Sequence, residues 1–130
     1  MNWKLIFLLS IFGFIMGLGA VFGITTKLEP FLWFIILVVC GFIIAKYVES
    51  KYFLHGLFMS ILNGVWQTIL HALFLNTYNT HNPEMLAKFG DKANSIGMVV
   101  LMGPIIGVIA GLFAGLLAVL AHKILVRKSN

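Results

Sequence analysis

YFLHGLFMSILNGVWQTILHALFL, residues 52–75, decides the fold, because it has the length of a membrane-spanning helix yet carries polar side chains at a regular spacing. A helix needs about 20 predominantly apolar residues to cross roughly 30 Å of hydrocarbon. Within the stretch, Asn63, Gln67 and His71 stand four residues apart. Burying an unpaired amide in an apolar medium costs roughly 2–7 kcal/mol. We therefore expect this polar stripe to face the interior of a helix bundle or a wet cavity.

The whole chain has the composition of a multi-pass membrane protein. Of its 130 residues, 61% are hydrophobic and 10% are charged, whereas a soluble domain carries roughly 25% charged residues. Four apolar segments are long enough to span a bilayer, and they cover residues 5–24, 31–48, 52–75 and 96–121. The sequence predicts an all-α membrane protein, a single domain over 1–130 with four transmembrane helices.

The connection between the last two spans is the only long one. Its segment NPEMLAKFG offers Asn82 as a helix N-cap, Pro83 at the first helical position and Gly90 as a stop. A short interfacial helix is predicted near 83–89, lying on the membrane surface.

Basic residues flank the apolar segments, so they indicate topology and not a nucleic-acid surface. If both termini are cytoplasmic, six basic residues lie inside and three lie outside. The inner set is Lys4, Lys46, Lys51, Lys123, Arg127 and Lys128, and the outer set is Lys27, Lys88 and Lys92. This bias favours an N-in, C-in orientation, with an inverted or dual topology as the alternative.

Small residues at a four-residue spacing predict close helix packing. The last span carries Gly103, Gly107, Gly111 and Gly115, and the first carries Gly13 and Gly17. Such ladders let another backbone approach closely. One interpretation is that the first and last helices pack within the protomer. The alternative is a dimerisation face, and both can hold.

Pro104 marks a kink in the last helix, because it lacks an N–H and leaves the Val100 carbonyl without its helical partner. His71 has a similar depth in the preceding span. We therefore expect the polar stripe to face the last helix at Pro104, where His71 would donate to the Val100 carbonyl or titrate in an outward-opening cavity.

The polar stripe allows two roles. Asn63 and Gln67, with Ser60 and Thr68 beside them, are typical of hydrogen bonds between helices, or they line the path of a solute. His55, near the inner interface, is expected to be solvated.

The sequence indicates no enzyme, cofactor or metal site. No Asp or Glu lies inside a predicted span, and no catalytic triad or nucleotide-binding motif is present. Cys40 is the single cysteine. His71, His81 and Glu84 match no standard metal-ligand spacing.

Several segments carry a family resemblance: KYFLHGLFMSILNGVWQTILHALFLNTYN followed by HNPEMLAKF, then MGPIIGVIAGL and the closing HKILVRKS. In this arrangement the chain resembles an uncharacterised family of small four-helix bacterial membrane proteins common in Bacteroidota. The resemblance covers about the last 60% of the chain. It implies the fold and the bacterial cytoplasmic (inner) membrane, and it brings no activity or ligand.

Two functions follow as hypotheses. The first is a structural or accessory membrane protein, self-associating through its glycine ladders, with the lipid bilayer and a second copy or another membrane protein as partners. The second is a small transporter or channel for a polar solute or ion that follows the polar stripe.

Overall fold

The computed structural model describes residues 1–25, 27–84, 87–88, 90 and 95–130. Regular structure in these residues is helical. The helices are α1 (Trp3–Val21), α2 (Glu29–Tyr47), α3 (Tyr52–Leu73), α4 (Leu75–His81) and α5 (Ile96–Ser129). Four of them, α1, α2, α3 and α5, are long and apolar enough to cross a membrane. The four predicted spans are therefore present as helices.

Six of the eight ends of the spanning helices differ from the sequence prediction, by one to eight residues, and two of these differences have a clear physical cause. Helix α2 begins at Glu29 and not at 31, with a proline in its first turn, where the missing N–H has no helical partner to lose. Helix α5 continues past 121 to Ser129, and Arg127 and Lys128 lie in its last turn. Cations there are favourable because the helix dipole is negative at that end.

The predicted surface helix near 83–89 falls partly on residues outside the described ones, namely Met85, Leu86 and Phe89. The described residues at 83–84 and 87–88 are helical. The sequence did not predict α4, a two-turn helix directly after α3. Within it, the Thr80 hydroxyl donates to the Asn76 carbonyl at 2.8 Å.

Helix α3 stands between α1 and α5. Its Gly64 lies so close to α5 that a Cβ there would be 2.8 Å from the Gly103 carbonyl oxygen and 3.0 Å from the Gly107 Cα. A Cβ on Gly56 would be 2.6 Å from the Ala114 carbonyl oxygen. The two backbones are therefore in direct contact, which only glycine permits at these positions.

The structure corrects the predicted pairing of the first and last helices. The glycine ladder of α5 packs on α3: Gly103 meets Thr68, Gly107 meets Ser60 and Gly64, Gly111 meets Leu57, and Gly115 meets Phe53. The α1 glycines also face α3, with Gly13 against Asn63 and Gly17 against Gln67 and Leu70. Helix α3 thus separates the two helices expected to touch.

The second face of α5 is covered by α2. Ala114 and Ala118 are buried, and a Cβ on Gly41 of α2 would lie 3.4 Å from the Ala118 nitrogen. The small residues of α5 are thus used inside the protomer, by α3 on one side and α2 on the other.

Both chain termini lie at the same end of the bundle, which we call the terminal end. The Asn2 backbone N–H donates to His55 Nε2 at 2.9 Å, joining α1 to the start of α3. The Tyr52 and His122 rings stack with centroids 4.0 Å apart, joining α3 to α5. Helix α2 begins with Glu29 at the other end of the bundle, which we call the Glu29 end.

Replacing Gly111 by leucine should separate α3 from α5. A Cβ there would lie 2.9 Å from the Leu57 carbonyl oxygen, which is backbone and cannot rotate away. Overpacking of this kind costs about 1–3 kcal/mol. We expect a lower melting temperature in detergent, followed by circular dichroism.

Gly97→Leu is the matched control, because a Cβ at Gly97 of the same helix meets no atom of the described residues within 4 Å. Equal melting temperatures for the two variants would contradict the packing described here.

Candidate functional site

The polar stripe of α3 faces α1, and this corrects the prediction that it faces the last helix. Asn63 is 2% exposed and lies on Gly13, where a Cβ would be 2.5 Å from Asn63 Oδ1. Gln67 lies on Gly17, whose Cβ would be 3.6 Å from the Gln67 Cα. Gly13 thus provides the space that the Asn63 amide occupies, whereas Gly17 makes room for Leu70, whose Cδ1 would lie 2.7 Å from a Cβ there.

Ser60 and Thr68 belong to a different contact. Ser60 is buried with its backbone against Gly107, and Thr68 lies beside Gly103. The Thr68 hydroxyl donates to the Gly64 carbonyl of its own helix at 2.8 Å. These two residues therefore serve the α3–α5 interface and are not part of the face that carries Asn63.

Several buried polar atoms of the stripe have no hydrogen-bond partner in the described part of the chain. They are Nδ2 and Oδ1 of Asn63, Nε2 of Gln67 and Nε2 of His71. Most buried polar groups in proteins are hydrogen-bonded, so an orphaned group calls for an explanation such as water, an ion or a ligand. Three residues of one helix face, each one turn after the last, carry such unpaired atoms, and this makes the stripe the candidate site.

Hydrogen bonds between α1 and α3 come from other residues. The Trp66 indole N–H donates to the Ser10 hydroxyl at 3.2 Å, and that hydroxyl donates to the Phe7 carbonyl at 2.7 Å. His55, expected to be solvated, is 2% exposed and accepts the bond from Asn2. The interhelical hydrogen bonds that were predicted for Asn63 and Gln67 are thus made by Ser10, Trp66 and His55.

His71 does not pair with the last helix, which corrects a second expectation. Val100 is 50% exposed on the outer surface of α5. The His71 ring instead lies against Tyr78 of α4, with centroids 4.4 Å apart. Pro104 lies inside α5, and the helix continues through it.

Glu29 is the site residue that the sequence interpretation missed. Its carboxylate is half-buried and accepts a bond from the Trp33 indole N–H at 3.4 Å, one turn later in α2. It also lies beside the Gln67 side chain, although Gln67 Nε2 makes no bond of ordinary geometry. The sequence signal is the pair Glu29–Pro30 followed by Trp33, one helical turn after Glu29, but the predicted span begins only at residue 31.

Tyr78 completes the group from α4. Burial raises the pKa of its hydroxyl, and the negative charge of Glu29 raises that pKa further. We call the five residues brought together here the Glu29 cluster: Glu29, Trp33, Gln67, His71 and Tyr78. The cluster joins three helices at the Glu29 end, and Asn63 continues it along α3.

Helix α4 is held over the cluster by contacts with the end of α1. The Asn82 amide donates to the Ala20 carbonyl at 2.8 Å and to the Tyr78 carbonyl at 2.9 Å. Gly23 has φ +70°, and a Cβ there would be 2.8 Å from the His81 carbonyl oxygen. The turn after α1 therefore fixes the position of Tyr78 above His71.

The remaining candidates lie away from the cluster. The described residues contain no group of three or more His, Cys, Asp or Glu side chains able to hold a metal ion. Cys40 is buried in the apolar core. An apolar groove of about 540 Å³ lies between α1 and α2 nearer the terminal end, lined by Leu5, Leu8, Leu9, Ile11, Phe12, Ile43 and Tyr47.

No protein-family model, curated protein or solved structure matches this chain. The resemblance to a family of Bacteroidota membrane proteins accordingly stays a prediction, and the site is interpreted from its own chemistry.

Replacing Glu29 by glutamine should lower the pKa of Tyr78. Removing the carboxylate charge removes one of the two causes that disfavour the phenolate, while burial still keeps the pKa above its ordinary value. In a Tyr47→Phe, Tyr52→Phe background Tyr78 is the only tyrosine, and its phenolate absorbance can be titrated directly.

Glu49→Gln is the control, because this exposed carboxylate lies at the terminal end of the bundle. An unchanged Tyr78 titration in Glu29→Gln would show that the two side chains are too far apart to interact.

Proposed function

We propose that the protein is a small multi-pass protein of the bacterial cytoplasmic membrane, oriented N-in and C-in, that passes a small polar solute along the face formed by Asn63, Gln67 and His71. The observation that supports this proposal is the row of buried polar atoms without protein partners on that face. The stripe then serves as a solute path and not only as a contact between helices.

The energetics favour a partner for these atoms. Leaving a buried donor or acceptor unsatisfied costs about 1–3 kcal/mol, and four such atoms lie on one face of α3. Alanine or leucine at positions 63 and 67 would avoid that cost if the only task were to hold α1 against α3. The amides of Asn63 and Gln67 are costly in a dry interface, but they are useful where water or a solute supplies the hydrogen bonds that the protein does not.

The gradient of burial along α3 suggests entry from the Glu29 end, because Gln67 and His71 are half-buried whereas Asn63 is buried. His71 and Gln67 lie near the Glu29 end, and Asn63 lies eight residues before His71, about 12 Å deeper at 1.5 Å per residue. Beyond Asn63 the same face meets Met59, which is fully buried, and then His55 with its bond to Asn2. In the conformation described, the path is therefore closed toward the terminal end.

A structural or accessory role is the second candidate, favoured by the tight packing of Asn63 on Gly13 and of both faces of α5. In that case the stripe is dry. Self-association, if it occurs, would have to use the apolar side chains that face lipid, since the small residues of α5 are covered within the protomer.

Thiol accessibility separates the two candidates. Single cysteines at positions 63, 67 and 71 are introduced in a Cys40→Ala background and exposed to a charged, water-soluble thiol reagent. A hydrated path predicts labelling at 71 and 67 from the Glu29 side, with slower labelling at 63. The charged reagent reaches a thiol only through water, and the thiol reacts as the thiolate, which forms only where water is present.

Val100→Cys supplies the control for exposure to lipid, since Val100 is half exposed on the surface of a spanning helix and should stay unlabelled. Absence of labelling at both 67 and 71 would reject the permeation proposal and leave the structural role.

A further inference from the structure

The carboxylate of Glu29 lacks a positively charged partner among the described residues. Its contacts are the Trp33 indole N–H and the Gln67 side chain, and both groups are neutral. Lys27, two residues earlier, is exposed in the turn before α2. No described lysine or arginine side chain therefore compensates the negative charge of Glu29.

In the first turn of α2 the positive end of the helix dipole stabilises the Glu29 carboxylate in part, but it does not supply a full counter-charge. Charged groups removed from water are normally paired, and one neutral hydrogen bond replaces little of the lost hydration. An uncharged residue at this position would avoid the remaining cost, and a cation bound beside Glu29 would supply the missing counter-charge.

The surrounding side chains discriminate between kinds of cation. Calcium is held by six to eight oxygens and magnesium by near-octahedral oxygens, whereas the cluster offers a single carboxylate. Softer metals are bound by several His or Cys ligands, and no group of three His, Cys, Asp or Glu side chains occurs in the described parts of the chain. Divalent metal ions are thus poor candidates.

Aromatic rings make an organic cation the better fit. Trp33 is in contact with the carboxylate, and Tyr78 packs on His71 at 4.4 Å. Trp33 meets the carboxylate through its N–H edge, so its ring is placed to pack against the apolar body of a ligand and not to hold the charged group. An ammonium group could donate to the carboxylate while the organic part contacts these rings.

We infer that the Glu29 cluster binds an organic ammonium ion, with Glu29 pairing the ammonium group and Trp33 and Tyr78 contacting its organic body. The inference rests on the site named under the proposed function and specifies its substrate class. It does not require that the ligand crosses the membrane.

Calorimetric titration of the full chain in phosphatidylcholine nanodiscs tests this binding. Benzylamine is the probe, and benzyl alcohol is its neutral counterpart of nearly the same shape. We expect saturable binding of benzylamine and at least tenfold weaker binding of benzyl alcohol. Glu29→Gln should weaken benzylamine binding at least tenfold, and Trp33→Leu severalfold, since it removes one ring.

Two further variants keep the result interpretable. Glu49→Gln makes the same chemical change at an exposed site of the terminal end and should bind benzylamine like the parent chain. Glu29→Asp keeps the charge and should retain most of the binding, which separates loss of charge from loss of fold.

Benzylamine binding that is absent, that is equal in Glu29→Gln, or that is matched by benzyl alcohol would overturn the inference. The result is separable from the thiol experiment. Labelling at 67 and 71 without amine binding would leave a path with another substrate, whereas amine binding without labelling would leave a binding site without a path.

Discussion

The contact of the α3 backbone with the α5 backbone is the constraint on which the other features depend. Gly56 and Gly64 of α3 lie directly on the glycines and carbonyls of α5, so α3 has almost no freedom to rotate about its axis. Successive residues of a helix are about 100° apart. Once Gly64 and Thr68 face α5, their neighbours Asn63 and Gln67 must face a different helix, and that helix is α1.

The same rotation produces the Glu29 cluster. With Gln67 turned toward the gap beside α1, its side chain reaches the start of α2, and His71, one turn later, reaches the ring of α4. The cluster therefore exists because a steric requirement on one side of α3 sets the direction of polar side chains on the other. A change that relaxed the glycine contact would move the polar groups as well.

The sequence predicted the number of spans and their approximate limits, because length and hydropathy are properties of each segment alone. It did not predict which helices touch. The glycines of α5 indicate that some backbone comes close, and both Gly13 of α1 and Gly64 of α3 were possible partners. His71 was matched to Val100 by depth, but depth says nothing about direction around the helix axis. Glu29 was missed because the predicted span begins at residue 31, although a proline in the first turn of a helix allows the residue before it to begin the helix.

The unequal lengths of the spans have a consequence for the response of the protein to its membrane. Helix α2 has 19 residues and α5 has 34, or about 28 Å and 51 Å at 1.5 Å per residue. In a hydrocarbon layer of roughly 30 Å, the shorter helix fits upright while the apolar part of the longer one must tilt or protrude. Helix α5 touches both α2 and α3 through small residues, so a change in bilayer thickness that alters its tilt would be transmitted to them. Bilayer thickness is therefore a variable that would act first on α5 and, through these small-residue contacts, on the two helices packed against it.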